Sequence, residues 1–128
     1  MKYIFALFTF LAILATTFAK DEKIRGLVNR DGSVTNFGVK RTTTKRYNIG
    51  FYLTNFPDCA KYLYIRVNPV NAAPFDWRRY QKSDENGPTN SVIGVDVLAG
   101  TTFTLDAKIS PAVTSSCDTH FEGFLGYV

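Results

Sequence analysis

An all-β fold, a small antiparallel β-sandwich or open barrel of about seven strands with one long loop, is what the sequence predicts. Three observations point there. Large apolar residues recur at a spacing of two in several short runs, the pattern of strands buried on one face. Gly, Pro, Asn and Asp break those runs at short intervals. Beyond residue 19 no stretch repeats its apolar residues with a helical period.

The first stretch stands apart. After Met1-Lys2 comes the predominantly apolar run 3–19, which is short for a membrane span and ends with Thr17 and Ala19 at the two positions a signal peptidase reads. Residues 1–19 are therefore expected to be a secretory signal peptide. Residues 20–128 are then a single β-sandwich domain, long enough for one core and too short for two. No later apolar run approaches membrane-spanning length, so no transmembrane segment is expected and the mature chain should be soluble, secreted and extracellular.

Residues 24–29 can form a short strand, and Asp31-Gly32 favours the φ > 0 turn of a tight hairpin leading into a strand at 34–40. Polar, β-prone residues 41–45 continue that strand as an exposed edge or leave it as a loop. The centre of the domain is 46–67. Tyr47, Ile49, Phe51 and Leu53 share one face of a strand, and Leu63, Ile65 and Val67 share one face of another, with Tyr62, Tyr64 and Arg66 opposite. The breaker Asn55-Phe56-Pro57-Asp58 between them reads as the turn of a central hairpin.

After Val67 the chain changes character. Pro69 and Pro74 lack the donor a central ladder requires, so 68–90 reads as one long loop with at most a helical turn near 76–80. Strand patterns resume at 91–97, at 101–108 with Phe103, Leu105 and Ala107 inward, and at 121–127 with Phe121, Gly123, Leu125 and Tyr127 inward.

Two cysteines, Cys59 and Cys117, in a chain bound for an oxidising compartment are expected to form one disulfide. Charge is unevenly placed: residues 20–82 carry a balance of +8 and residues 83–128 one of −5. Either neighbouring strands pair these opposite charges, or the first part presents a basic face to an anionic partner.

Gly26-x-Val28-Asn29-x-Asp31-Gly32-Ser33, Tyr47-x-Ile49-x-Phe51, Asp58-Cys59-Ala60, Ile93-Gly94-Val95 and Asp118-x-x-Phe121 together resemble secreted bacterial and tail-fibre-like β-sandwich modules. The resemblance implies a β-sandwich displayed outside the cell and transfers no catalytic residue. Those modules tend to carry their second cysteine at the end of the last strand, whereas Cys117 precedes Asp118 here.

Enzymatic chemistry finds little support. His120 is the only histidine, there is no G-x-S-x-G elbow, and neither metal-ligand nor calcium-loop spacing occurs, so no catalytic residue, metal or cofactor is expected. Binding is better supported. Phe75, Trp77 and Tyr80 lie in the long loop, interleaved with Arg78 and Arg79, a composition shared by interface hot spots and sugar-stacking platforms, although Trp77 could equally plug one end of the sandwich. Lys40, Arg41, Lys45 and Arg46 form a second candidate, a basic stretch suited to sulfates or phosphates. The expected function is a secreted binding module for an extracellular glycan or protein, with an anionic polysaccharide among the candidates and nucleic acid excluded for want of a motif. The alternative is a structural or self-assembling extracellular protein that takes no small ligand.

Overall fold

In the computed structural model, which describes residues 22–86, 95–114 and 116–127, eight strands follow the alternation of the sequence. They are β1 (Glu22–Leu27), β2 (Thr35–Thr42), β3 (Tyr47–Asn55), β4 (Tyr62–Pro69), β5 (Arg78–Tyr80), β6 (Val95–Val97), β7 (Thr102–Ser110) and β8 (His120–Tyr127). The expected signal segment and residues 91–94 of the strand expected at 91–97 lie outside the described residues. Among the described residues no helix is long and apolar enough to cross a membrane.

The strands form two four-stranded antiparallel sheets, β1-β8-β3-β6 and β2-β7-β4-β5. Their pairings are nested: β4 with β5, β3 with β6, β2 with β7 and β1 with β8. A chain folded in two at the β4–β5 turn makes those four pairs. Rolling the long hairpin up adds the remaining two, β3 with β8 and β4 with β7. That is the connectivity of a jelly roll, the two-sheet version of the expected sandwich.

The core lies between the sheets, filled by the residues that alternation turned inward. Ile49, Phe51 and Leu53 of β3, Leu63, Ile65 and Val67 of β4, Phe103, Leu105, Ala107 and Ile109 of β7, and Phe121 and Leu125 of β8 are all buried. Rings meet edge to face across it, Phe37 with Phe121 at 5.6 Å and Phe51 with Tyr80 at 5.7 Å between centroids. A β-carbon at Gly26 of β1 would come within 2.2 Å of the Phe37 ring of β2, so any side chain there would displace that ring.

Several expectations are corrected by this topology. β3 and β4 do not pair as a hairpin but lie in different sheets, so residues 56–61 cross from one sheet to the other. Asp31-Gly32 does turn the chain, with Gly32 at φ 82°, yet it too links strands of different sheets. The physical reason is shared. One-sided strands adjacent in sequence bury their apolar faces equally well by stacking across the core as by pairing side by side, and here only β4 and β5 are both consecutive and paired. The stretch near 76–80 forms the edge strand β5 rather than a helical turn, bringing the strands to eight. Pro69 ends β4, an interior strand. It is tolerated because β5 pairs only as far as Ile65, so β4 has a single neighbour at that level.

Three ties lock the loops. Cys59 and Cys117 form the expected disulfide, Cα atoms 5.9 Å apart, joining the β3–β4 and β7–β8 connections. Buried Thr43 binds the β6–β7 turn, its hydroxyl donating to the Leu98 carbonyl at 2.7 Å and accepting from the Thr101 N–H at 3.0 Å. The Glu85 carboxylate accepts the Phe56 N–H at 2.6 Å, which holds its pKa below the usual carboxylate range.

Candidate functional site

The charge asymmetry of the chain resolves largely into ion pairs between its two parts. Arg25 pairs with Glu122, Arg46 with Asp96, and Arg66 with Asp106. What escapes neutralisation identifies the site. On the outer face of the β2-β7-β4-β5 sheet, Tyr62, Tyr64 and Arg66 project from β4, while Lys108 lies beside Tyr64 on one flank and Arg79 beside it on the other. Among the described residues no carboxylate lies within ion-pair distance of Lys61, Arg79 or Lys108.

Each cation instead meets a ring. The Arg79 guanidinium lies 4.7 Å from the Tyr62 centroid, and the Lys61 ammonium 5.5 Å from the same ring. Lys108 is 5.5 Å from Tyr64 and 4.6 Å from Trp77. Arg66 sits 4.1 Å from the Trp77 centroid. Such contacts contribute about 0.5 to 2 kcal/mol each according to how far they are desolvated, so they hold the rings in place without consuming the charges.

A polar cluster anchors this face to the sheet. Asp106 points outward by alternation yet is only 2% exposed, because its neighbours close over it. It accepts from Arg66 Nε at 2.9 Å, Asn36 Nδ2 at 2.7 Å and Asn68 Nδ2 at 3.2 Å. Asn36 Nδ2 also donates to Thr104 Oγ1 at 2.9 Å. A carboxylate buried this deeply persists only with such a set of donors, and the set orients Arg66 against Trp77.

The residues expected from the sequence separate. Trp77 is half-buried and contributes to the outer face, whereas Phe75 beside it packs against the core. Arg79 lies on the face through Tyr62, and Arg78 is exposed on the same edge strand. Tyr80, expected at the surface, is 3% exposed in the core; its hydroxyl donates to the Phe51 carbonyl at 3.3 Å, and burial pushes its pKa up. The basic stretch does not join them. Arg41 pairs with Glu22 and Arg46 with Asp96, while Lys40 and Lys45 are exposed. Since β2 and β5 are opposite edges of one sheet, Arg41 and Arg79 stand three strand spacings apart, about 14 Å across the sheet, and are further offset along it, Arg41 lying level with Pro69 and Arg79 with Tyr64.

Tyr62, Tyr64, Lys61, Arg66 and Lys108 were missed as site residues. The available signal was that the non-core face of the β4 pattern reads Tyr, Tyr, Arg where an ordinary solvated face would be small and polar. Elsewhere, an open groove of about 210 Å³ is lined by Thr42, Thr43, Thr44, Tyr47 and Tyr127. Burial raises the Tyr127 pKa to about 12, and the Thr43 hydroxyl is already occupied, so the groove offers few donors and no charge. His120 lies on the other sheet, accepting from Arg25 Nε at 3.1 Å. Among the described residues no group of three or more His, Cys, Asp or Glu is placed to hold a metal ion. Comparison with models of known families, with curated proteins and with solved structures gave no match.

Proposed function

We propose that the protein is a secreted binding module that recognises an anionic extracellular ligand on the outer face of the β2-β7-β4-β5 sheet. The observation that carries this reading is the juxtaposition there of three aromatic rings with Lys61, Arg79 and Lys108, for which no carboxylate partner occurs among the described residues. Rings supply flat apolar contact, and unpaired Lys and Arg supply attraction to sulfates or carboxylates. Lys61 and Arg79 are exposed there, and Lys108 and the three rings are half-buried. Secretion is supported by the apolar leader and by the Cys59–Cys117 disulfide, which persists in an oxidising compartment.

Affinity chromatography on an immobilised sulfated polysaccharide tests the reading, with a neutral dextran column as control. Retention should be salt-sensitive, absent on dextran, and lost in the folded Arg79→Ala, Lys108→Ala double variant. Elution in the void at low salt would end the proposal. Concentration-dependent association of ligand-free protein in its place would favour the self-assembling alternative.

A further inference from the structure

We infer that the ligand is a linear acidic polysaccharide laid along β4 and held over three successive ring-and-cation steps. This rests on the binding role proposed for the face and specifies what it takes. The first step is Tyr62 with Arg79 and Lys61, and the second is Tyr64 with Lys108. The third is Trp77, at the level of Arg66 and shared with Lys108.

Because Tyr62, Tyr64 and Arg66 are alternate residues of one strand, consecutive steps are about 7 Å apart and the three span about 14 Å. A compact anion needs donors that converge on one point. Here the cations are divided along a line, Lys61 and Arg79 at Tyr62 and Lys108 between Tyr64 and Trp77, which suits a polymer that repeats a ring face and a charge together. A pyranose residue of an acidic polysaccharide does so: its C–H face lies against the part of the aromatic ring left open, and its carboxylate or sulfate reaches the cation held over that ring. Lys61, Arg79 and Lys108 are the cations available for this, since Arg66 is engaged by Asp106. Arg66 is therefore a positioning residue that supports the Trp77 ring. A single-stranded nucleic acid also repeats rings and charges. The polysaccharide is favoured by the secretory leader and the disulfide, which fit an extracellular setting.

Trp77 is the only tryptophan in the chain, so its fluorescence reports on the third step directly. The protein is titrated with size-defined heparin oligosaccharides from disaccharide to decasaccharide and, in parallel, with oligothymidylates of matching length. Affinity is expected to rise by roughly tenfold or more from disaccharide to hexasaccharide as further steps are engaged, then to level off once all three are covered. Tyr62→Ala should remove most of the gain between the longer oligosaccharides and weaken the disaccharide, which can move to the remaining steps, by a smaller factor, whereas a merely structural role for Tyr62 would weaken every length by the same factor. A disaccharide binding as tightly as a hexasaccharide would overturn the three-step ligand while leaving the anion-binding function standing. Oligothymidylate binding as tight as the oligosaccharides would overturn the ligand class. Absence of binding at every length in low salt would remove the function itself.

Discussion

Gly123 of β8 lies directly against the Phe51 ring of β3: a β-carbon at Gly123 would stand 2.3 Å from Phe51 Cζ and 2.5 Å from the Tyr52 carbonyl oxygen. The closest obstacle could turn aside, but the carbonyl belongs to backbone in the middle of a sheet. Gly123→Ala is expected to destabilise the fold by about 3 kcal/mol or more, as overpacked cores do. Phe51→Ala should cost about 3 to 5 kcal/mol, while Tyr52→Ala on the opposite face should cost far less. Chemical denaturation of the three variants checks this; equal losses at Phe51 and Tyr52 would mean that both faces of β3 are covered.

The disulfide closes a loop over a sequence separation of 58 residues. On the chain-entropy account its loss should remove about 4 kcal/mol of stability. Intact mass with thiol labelling should detect no free thiol, and the denaturation midpoint should fall on reduction. Two labelled thiols in secreted protein would contradict the bond.

Two ion pairs should respond very differently to truncation. Asp106→Ala leaves Arg66, Asn36 and Asn68 facing a vacated site and should cost about 2 to 4 kcal/mol. Arg46→Ala removes an exposed partner of Asp96 and should leave thermal stability unchanged within error. The Asp106 variant should also alter Trp77 fluorescence, because the cation beneath the ring loses its anchor.

Glu85 gives the stability a specific acid limb. Its carboxylate is held below its ordinary value of 4.5, chiefly by the Phe56 N–H and further by Lys82. A depressed folded-state pKa means the contribution is complete above 4.5 and is lost as pH falls through the lowered value. Stability curves of wild type and Glu85→Gln should therefore differ above that value and converge in stronger acid. A constant offset down to the most acidic pH would mean that titration of Glu85 plays no part.

Reversing the basic stretch should spare binding. Lys45→Glu with Arg46→Glu alters the connection between β2 and β3, beside β6 of the other sheet, and frees Asp96, so retention on a sulfated column is expected to change little. Charge reversal at Arg79 and Lys108 should abolish it. Equal losses from both double variants would show that long-range charge dominates over the ring face.

The inward residues were legible because burial on one side imposes a period of two wherever a strand is long: Ile49-Phe51-Leu53, Phe103-Leu105-Ala107 and Phe121-Gly123-Leu125 all read correctly. Pairing was not legible. The same alternation serves a strand that pairs with its sequence neighbour and one that stacks over it, so β3 and β4 read as a hairpin. β5 escaped notice because three residues are too few to show a period, and with it went the correct placement of Tyr80. Of the residues on the outer face, Trp77 and Arg79 were singled out from composition. Lys108 was beyond reach, since only the pairing of β7 with β4 carries it beside Tyr64. Asp106 looked like a solvated outward residue because the side chains that bury it come from β2 and β4.

The nested pairing has a kinetic consequence. β8, last in chain order, is no border of its sheet but sits between β1 and β3, and β7 likewise sits between β2 and β4. As the chain emerges, the first six strands can close only the β3–β6 and β4–β5 pairs, each three residues long, and β1 and β2 have no partner. Both sheets must wait for residues beyond 100, so nearly all the ordering comes at once and late. Contacts this distant in sequence place folding on the order of milliseconds to seconds. Until then the chain remains threadable, the state in which a polypeptide can still be passed through a narrow channel.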